Sequence, residues 1–385
     1  MKLADRMQEI QPFFVMDILA RARELEAQGH SIIHMEIGEP DFPTPAPIIE
    51  AGRQALADEK THYTPALGLP ALRKKISEYY QSEFAVDVDP ARIIITPGAS
   101  GALQLALAVL VNPGNKIMMA DPGYPCNRHM VRLFEGETTS VPVDADSRFQ
   151  LTPDLLDQYW DQQTIAAMIA SPSNPTGTRL DEVDMQALFN AVSKHNGALI
   201  VDEIYQGLVY GVKNFTALSC SDQLIVINSF SKYFGMTGWR LGWMVVPDFL
   251  VDAIDRVSQN IFLAPSTPAQ YAALSAFTDS TMEIVHQRRD EFRHRRDYLL
   301  SALTQIGFKI KTEPEGAFYI YADCSEFSQD SFQLSIDLLE NAGVAVTPGK
   351  DFGTNNASHY LRFAYTQPVE KLELGIERIK KYLKG

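Results

Sequence analysis

The sequence predicts an α/β protein: a mostly parallel sheet of seven strands covered by helices on both faces, followed by a smaller α+β domain. Two observations carry that expectation. From residue 92 onward, apolar runs of four to six residues alternate with stretches of helical spacing, the pattern of a parallel sheet with helices packed on it. Near Pro268 the alternation stops, and a long charged helical region leads into a β-rich tail.

Taken in order, residues 16–28 have helical spacing through Ile18, Leu19, Ala22 and Leu25, and Gly29 stops them. Residues 32–37 read as a short strand, after which Pro40, Pro43 and Pro45 forbid helix. Residues 47–58 read as helix and 62–69 as irregular. Pro70 suits the first position of a helix ending at Phe84. The seven runs are 92–96, 116–120, 138–143, 165–170, 198–201, 224–227 and 241–246, with helices at 101–111, 154–160, 181–195 and 249–260. In the tail, 270–305 reads as helical. Strands follow at 308–312, 317–321, 344–348 and 360–365, with helices at 331–342 and 369–383. Residues 1–45 are expected to pack on the small domain, 46–275 to form the large domain, and 276–385 the small one.

The formal charge is 34 − 48 = −14, which argues against nucleic acid or an anionic membrane as a partner. Cys126, Cys220 and Cys324 form no CxxC and suit a reducing compartment better than a disulfide framework. The first fourteen residues carry acids and no apolar core, and no run of eighteen apolar residues occurs, so neither a signal peptide nor a membrane span is expected. These features predict a cytoplasmic protein.

In open parallel sheets, ligands bind beyond the carboxyl ends of the strands, so the residues after each run are the candidates. Pro97-Gly98-Ala99-Ser100-Gly101 leads from a strand into a helix, and small residues there let backbone N–H groups approach an anion. Tyr124, in Asp121-Pro122-Gly123-Tyr124-Pro125, offers a face to a flat ring. Asn174, in Ser171-Pro172-Ser173-Asn174-Pro175, can donate its amide to a ring oxygen. Asp202 ends a buried run and calls for a cationic partner, such as a pyridinium nitrogen. Lys232 follows the run 224–227 among Ser229 and Ser231, with Arg240 eight residues on. A lysine in a low-dielectric pocket loses part of its preference for charge and can form a Schiff base with an aldehyde. Arg240 suits a phosphate, and Arg362, in His359-Tyr360-Leu361-Arg362-Phe363, a substrate carboxylate. Each residue has a plainer reading: a turn, a packed aromatic, a helix cap, a solvated lysine, an edge-strand arginine. Five strand ends carrying complementary groups argue jointly for a pyridoxal phosphate site.

Over nearly its whole length the chain resembles the class I/II aminotransferases of fold type I, the aspartate aminotransferase superfamily of pyridoxal phosphate enzymes. The likeness is carried by Ser171-Pro-Ser-Asn174-Pro-Thr-Gly177, Asp202-Glu-Ile-Tyr205, and Ser229-Phe-Ser231-Lys232 with Gly238-Trp-Arg240-Leu-Gly242. The resemblance implies that Lys232 forms the internal aldimine and shuttles the proton. It implies that Asp202 pairs the pyridinium, Asn174 and Tyr205 hold the ring oxygen, and Tyr124 stacks on the ring. Gly98, Ala99, Ser100, Ser229, Ser231 and Arg240 would surround the phosphate. Arg362, with Asn174 and Gly38 beside it, would bind the substrate. Tyr63 matches the tyrosine that reaches the phosphate of the neighbouring subunit, which implies a homodimer with shared sites. No metal is implied.

The implied activity is ping-pong transfer of an amino group from an amino acid to a 2-oxo acid. Some aspartate-preferring relatives carry a lysine where this chain has Ser100, so neutral, aliphatic or aromatic donors are expected beside aspartate, with Phe13, Phe14 and Ile18 as an apolar lid. The alternatives are a carbon–sulfur β-lyase on the same scaffold, told apart by release of pyruvate and ammonia without an acceptor, and a non-catalytic cofactor-binding regulator. For the latter, the chain leaves little room for a DNA-binding domain.

Overall fold

In the computed structural model, which describes residues 1–384, the seven apolar runs form one sheet. Its strands are β1 (Ile93–Thr96), β2 (Lys116–Asp121), β3 (Glu137–Pro142), β4 (Thr164–Ala170), β5 (Ala198–Asp202), β6 (Ile225–Ser229) and β7 (Gly242–Val245). The spatial order is β1-β7-β6-β5-β4-β2-β3. Pairing is parallel throughout, except that β7 runs antiparallel to both β1 and β6.

Whereas the edge strand β3 is polar and largely exposed, the continuous apolar character of β1, β4 and β6 follows from burial on both faces. Successive side chains alternate sides, and here they enter two different cores. Ile93 and Ile95 of β1 join one apolar cluster and Ile94 the other; Val226 of β6 joins the first, Ile225 and Ile227 the second. Each fully buried Ile or Val contributes roughly 1.5–3 kcal/mol, so losing either helical layer would strip half of each such strand of its support. The helix Gly98–Leu110 is apolar nearly all round because it is sandwiched, with β6 and β7 on one side and the helix Asp248–Ile261 on the other.

The smaller domain holds a three-stranded antiparallel sheet in which Tyr360–Ala364 lies between Thr347–Pro348 and Tyr319–Asp323. Arg362 is therefore on a central strand and is buried, not on an edge. The N-terminal stretch is built into this domain: Ile33–His34 pairs parallel to Val344–Ala345. The helix Phe14–Ala27 buries Ile18, Ala22 and Leu25 with Ile32, Leu339 and Ala345. Its first amide is capped from far along the chain, since Phe14 N–H donates to Asp351 Oδ1 at 3.0 Å.

Several expected elements come out differently, each for a local reason. The run 32–37 pairs over only two residues because side chains take the carbonyls that follow. Glu36 O accepts from Arg362 and Thr347, and Ile37 O from Thr366. The run 344–348 splits between two sheets, and 308–312 forms only an isolated bridge at Lys309. The region 270–305 is two helices, Thr267–Ala273 and Asp279–Ile306, separated by a short 3-10 turn. The helix 101–111 begins three residues earlier, at Gly98. An unexpected helix, Pro125–Leu133, follows Tyr124; only Pro125 and Val131 of it are buried. Among the described residues no helix is long and apolar enough to cross a membrane.

Candidate active site

The carboxyl ends of β4, β5 and β6 and the turns after β1 and β2 open onto one cavity of about 520 Å³. The small domain contributes Tyr319, Phe352 and Arg362 to its far wall, and the N-terminal stretch contributes Phe13 and Gly38. Ala99, Ser100, Tyr124, Asn174, Asp202, Tyr205, Ser229, Ser231, Lys232 and Arg240 all line it.

Gly98 sits directly behind Arg240. A Cβ placed on Gly98 would lie 2.7 Å from Arg240 Nη2, and its φ of +73° is one that L side chains rarely adopt. Because the helix starts at Gly98, the N–H groups of Gly98, Ala99 and Ser100 belong to its first turn and have no intrahelical acceptor. The positive end of a thirteen-residue helix thus faces the same space as the Arg240 guanidinium. Arg240 is itself in the left-handed region at φ 53°, a local strain of the kind that concentrates at functional sites. Ser229 Oγ donates to Ser231 Oγ at 2.9 Å, which sets two hydroxyls beside that corner. Small residues, a helix N-terminus, a fixed cation and hydroxyls are what a phosphate requires.

Lys232 Nζ donates to Gly38 O at 2.6 Å. Burial lowers its amine to about 8; the Arg362 and Arg240 charges push the same way, while Glu39 opposes them. Asp202 Oδ1 accepts from Ile204 N–H at 3.0 Å. Burial raises its carboxyl to about 6, a shift that this hydrogen bond and the nearby Lys232 only partly offset. A carboxyl raised this far lacks a cation at bonding distance. Tyr205 Oη and Tyr319 Oη are 2.9 Å apart. Burial holds the Tyr205 phenol well above its ordinary range, so it stays a hydrogen-bond donor. Tyr124 presents a ring to the cavity that is stacked at 6.2 Å on Phe13.

Arg362 is held from several sides. Nη1 donates to Asn174 Oδ1 at 2.9 Å, and Nη2 to Thr347 Oγ1 at 3.1 Å and to Glu36 O. The guanidinium lies 4.3 Å from the Tyr319 ring centroid and 4.8 Å from that of Phe352. Its Nε is buried without a partner. A rigidly clamped guanidinium with an unpartnered donor is suited to a carboxylate. Gly38 is where a side chain could not be: a Cβ there would fall 1.9 Å from Tyr319 Oη.

Tyr63 stands apart from this constellation. It is 82% exposed, on the irregular stretch before Pro70. Of the expected lid, Phe13 lines the cavity, but Ile18 is buried in the small domain and Phe14 packs edge-on against Phe332. The helix turns Val15, Met16 and Leu19 inward instead. Sequence reasoning missed Tyr319, Thr347, Phe352 and Asp351. No strand-end rule finds them, because Tyr319, Phe352 and Asp351 reach the cavity, and Thr347 reaches Arg362, from the part of the chain beyond the large sheet.

A family model described as aminotransferase class I and II matches residues 30–379. The chain is 37% identical over 384 residues, 99% of each protein, to a (5-formylfuran-3-yl)methyl phosphate transaminase of Methanocaldococcus jannaschii. It is 35% identical, over 97% of each, to a valine–pyruvate aminotransferase of Mycobacterium tuberculosis. The crystal structure of an aminotransferase from Mycobacterium tuberculosis superposes with a TM-score of 0.97 at 35% identity, covering 100% of this chain and 99% of the other.

Proposed function

The chain belongs to the class I and II aminotransferases, and from that premise we propose that its cavity holds pyridoxal phosphate, with Lys232 as its anchor and Arg362 as the clamp on the substrate. The enzyme is an aminotransferase: an amino acid gives up its amino group and leaves as a 2-oxo acid, and a second 2-oxo acid takes the group up. One observation carries the assignment of residues. Lys232, Asp202 and Arg362 face one cavity, where burial lowers the amine of Lys232 and raises the carboxyl of Asp202, and Arg362 Nε is buried without a partner.

The first turn of the helix Gly98–Leu110, Ser229, Ser231 and Arg240 would hold the phosphate. Asp202 would pair with the ring nitrogen, Asn174 and Tyr205 with the ring oxygen, and Tyr124 with the ring face. When bound, the cofactor supplies the electron sink that makes the amino acid's Cα–H acidic. The rest is positioning by this chain. Asp202, its carboxyl raised to about 6 by burial, would be relieved of that desolvation by a cationic ring nitrogen. Lys232 Nζ, lowered to about 8, is neutral in part at physiological pH, so it would serve as the amine that anchors the cofactor and as the group that accepts and returns one proton at Nζ. Arg362 pins the substrate carboxylate through Nε and the free edge of its guanidinium, and Gly38 leaves the room for it.

Tyr63 acts on the site of a second copy, making the enzyme a homodimer with shared sites. In support, Tyr63, Ile261 and Leu263 are exposed apolar side chains on neighbouring segments, which are joined by the Ser258–Ala66 and Thr267–His62 hydrogen bonds. We place residues 1–45 with the small domain of 276–385, on the Ile33–Val344 pairing, and 46–275 as the large domain. The three free cysteines support a cytoplasmic location. Family membership disfavours the β-lyase and the non-catalytic regulator.

The test is a half-reaction. Amino acids added to the yellow holoenzyme should discharge its visible absorbance with release of one equivalent of 2-oxo acid, and a different 2-oxo acid should restore it. Release of ammonia without an acceptor would mark a lyase, and an unresponsive spectrum a non-catalytic protein.

A further inference from the structure

The part of the cavity beyond the cofactor-binding corner has a definite character. Its wall is built from Phe13, Met16, Leu19, Leu103 and Met130. Leu103 lies one turn after Ser100 on the same helix, and Met130 projects from the helix that follows Tyr124. Apolar side chains of these sizes leave a substrate group no hydrogen-bond partner, and a polar group desolvated there is penalised.

The charges in the same space point the same way. Among the described residues, the lysine and arginine side chains lining the cavity are Lys232, Arg240 and Arg362, and each has a task in the reading above. The carboxylates Glu36, Glu39 and Asp351 also line it. Asp351 is occupied in part by the Phe14 amide. Glu36 Oε1 is bonded to His34 Nδ1 at 2.7 Å, while its Oε2 is buried without a partner. Glu36 is fully buried against His34, so a second carboxylate on the substrate would meet Glu39 and Asp351 and no free cation.

Resting on the amino-transfer reading, we propose that the substrate's side chain is apolar and large enough to reach the wall of Phe13, Met16, Leu19, Leu103 and Met130, and that Glu39 and Asp351 select against a dicarboxylic amino acid. The first turn of the N-terminal helix is then a specificity element, and the chemistry is left to residues elsewhere.

The experiment is single-turnover decay of the holoenzyme absorbance with leucine, methionine, phenylalanine, lysine and aspartate. At least one of the three apolar amino acids is expected to exceed both lysine and aspartate in kcat/KM by about tenfold or more, the scale on which a pocket distinguishes side chains. Aspartate matching the best apolar donor would overturn the proposal. Lysine reacting fastest would also overturn it, by assigning Glu39 and Asp351 to a cationic substrate. If no amino acid reacts, amino transfer itself fails. Met16→Lys, at a position 55% exposed, supplies a cation without disturbing the core. It is expected to narrow the apolar-to-aspartate ratio several-fold, and an unchanged ratio would remove the N-terminal helix from the wall.

Discussion

Arg362 Nη1 donates to Asn174 Oδ1 at 2.9 Å, a bond that crosses from the central strand of the small sheet to the loop after β4 of the large one. The bond settles which way the Asn174 amide faces. With Oδ1 committed to the guanidinium, Nδ2 is the atom left for another partner. An arginine that binds an acceptor on one side thus orients a donor on the other, and the proposed carboxylate clamp and the proposed ring-oxygen donor are set together.

Arg362→Lys keeps the charge and loses the fork. It should reduce kcat/KM by roughly 2–5 kcal/mol of transition-state binding, the range for losing one side of a buried charged contact. The measurement is kinetic, with the holoenzyme spectrum as control. A spectrum like the wild type's with a large loss of kcat/KM is expected, and near-normal kcat/KM would remove Arg362 from the substrate site.

Lys232→Ala should bind the cofactor without a covalent link, so that borohydride treatment leaves the protein mass unchanged. In the wild type, capture of cofactor by the cofactor-free protein should speed up with pH around a midpoint of about 8, well below an ordinary lysine. The linkage has the same sign. Between about 8 and the ordinary lysine value of about 10.4, the unfolded chain holds a proton that the native protein does not. The Lys232 contribution to stability therefore rises with pH across that window and is a net cost below it.

Asp202→Asn should separate stability from function. In the cofactor-free protein the carboxyl is raised to about 6, so between its ordinary value and 6 the native state holds the extra proton and stability falls as pH rises. Above that window the charged carboxylate costs at most on the order of 3 kcal/mol. The neutral amide should raise the melting temperature of the cofactor-free protein at pH 7–8 while activity falls a hundredfold or more. Normal activity in the variant would break the proposed pairing with the ring nitrogen.

Tyr63→Ala, at a residue exposed over most of its surface, should change folding stability by no more than about 0.5 kcal/mol. Equilibrium dialysis should nonetheless find weaker cofactor retention. Unchanged retention, or a monomer by sedimentation, would sink the shared-site arrangement.

The sheet was legible because its inner strands are buried on both faces, and Ile93-Ile94-Ile95 has no other sensible reading; the edge strand Glu137–Pro142 is largely exposed. The strand-end rule then reached Asn174, Asp202, Ser229, Lys232 and Arg240 directly. It did not reach Tyr319, Phe352 or Thr347, whose places depend on how two domains meet, a matter of long-range packing with no local pattern. The N-terminal helix shows a subtler miss. Its period was read correctly, but the period does not say which stripe faces which neighbour. Ile18 went to the small-domain core, and Met16 and Leu19 took the cavity.

The Phe14 amide is capped by a carboxylate 337 residues further along the chain. One backbone hydrogen therefore reports on an arrangement that neither segment holds alone. Its exchange with deuterium is blocked only while Asp351, and with it the turn leading to Phe352, stays in place beneath the helix. A substrate that draws the two together should slow the exchange of that single amide. The helix's opening turn then becomes a built-in gauge of how firmly the cavity is shut, readable without any label on the substrate.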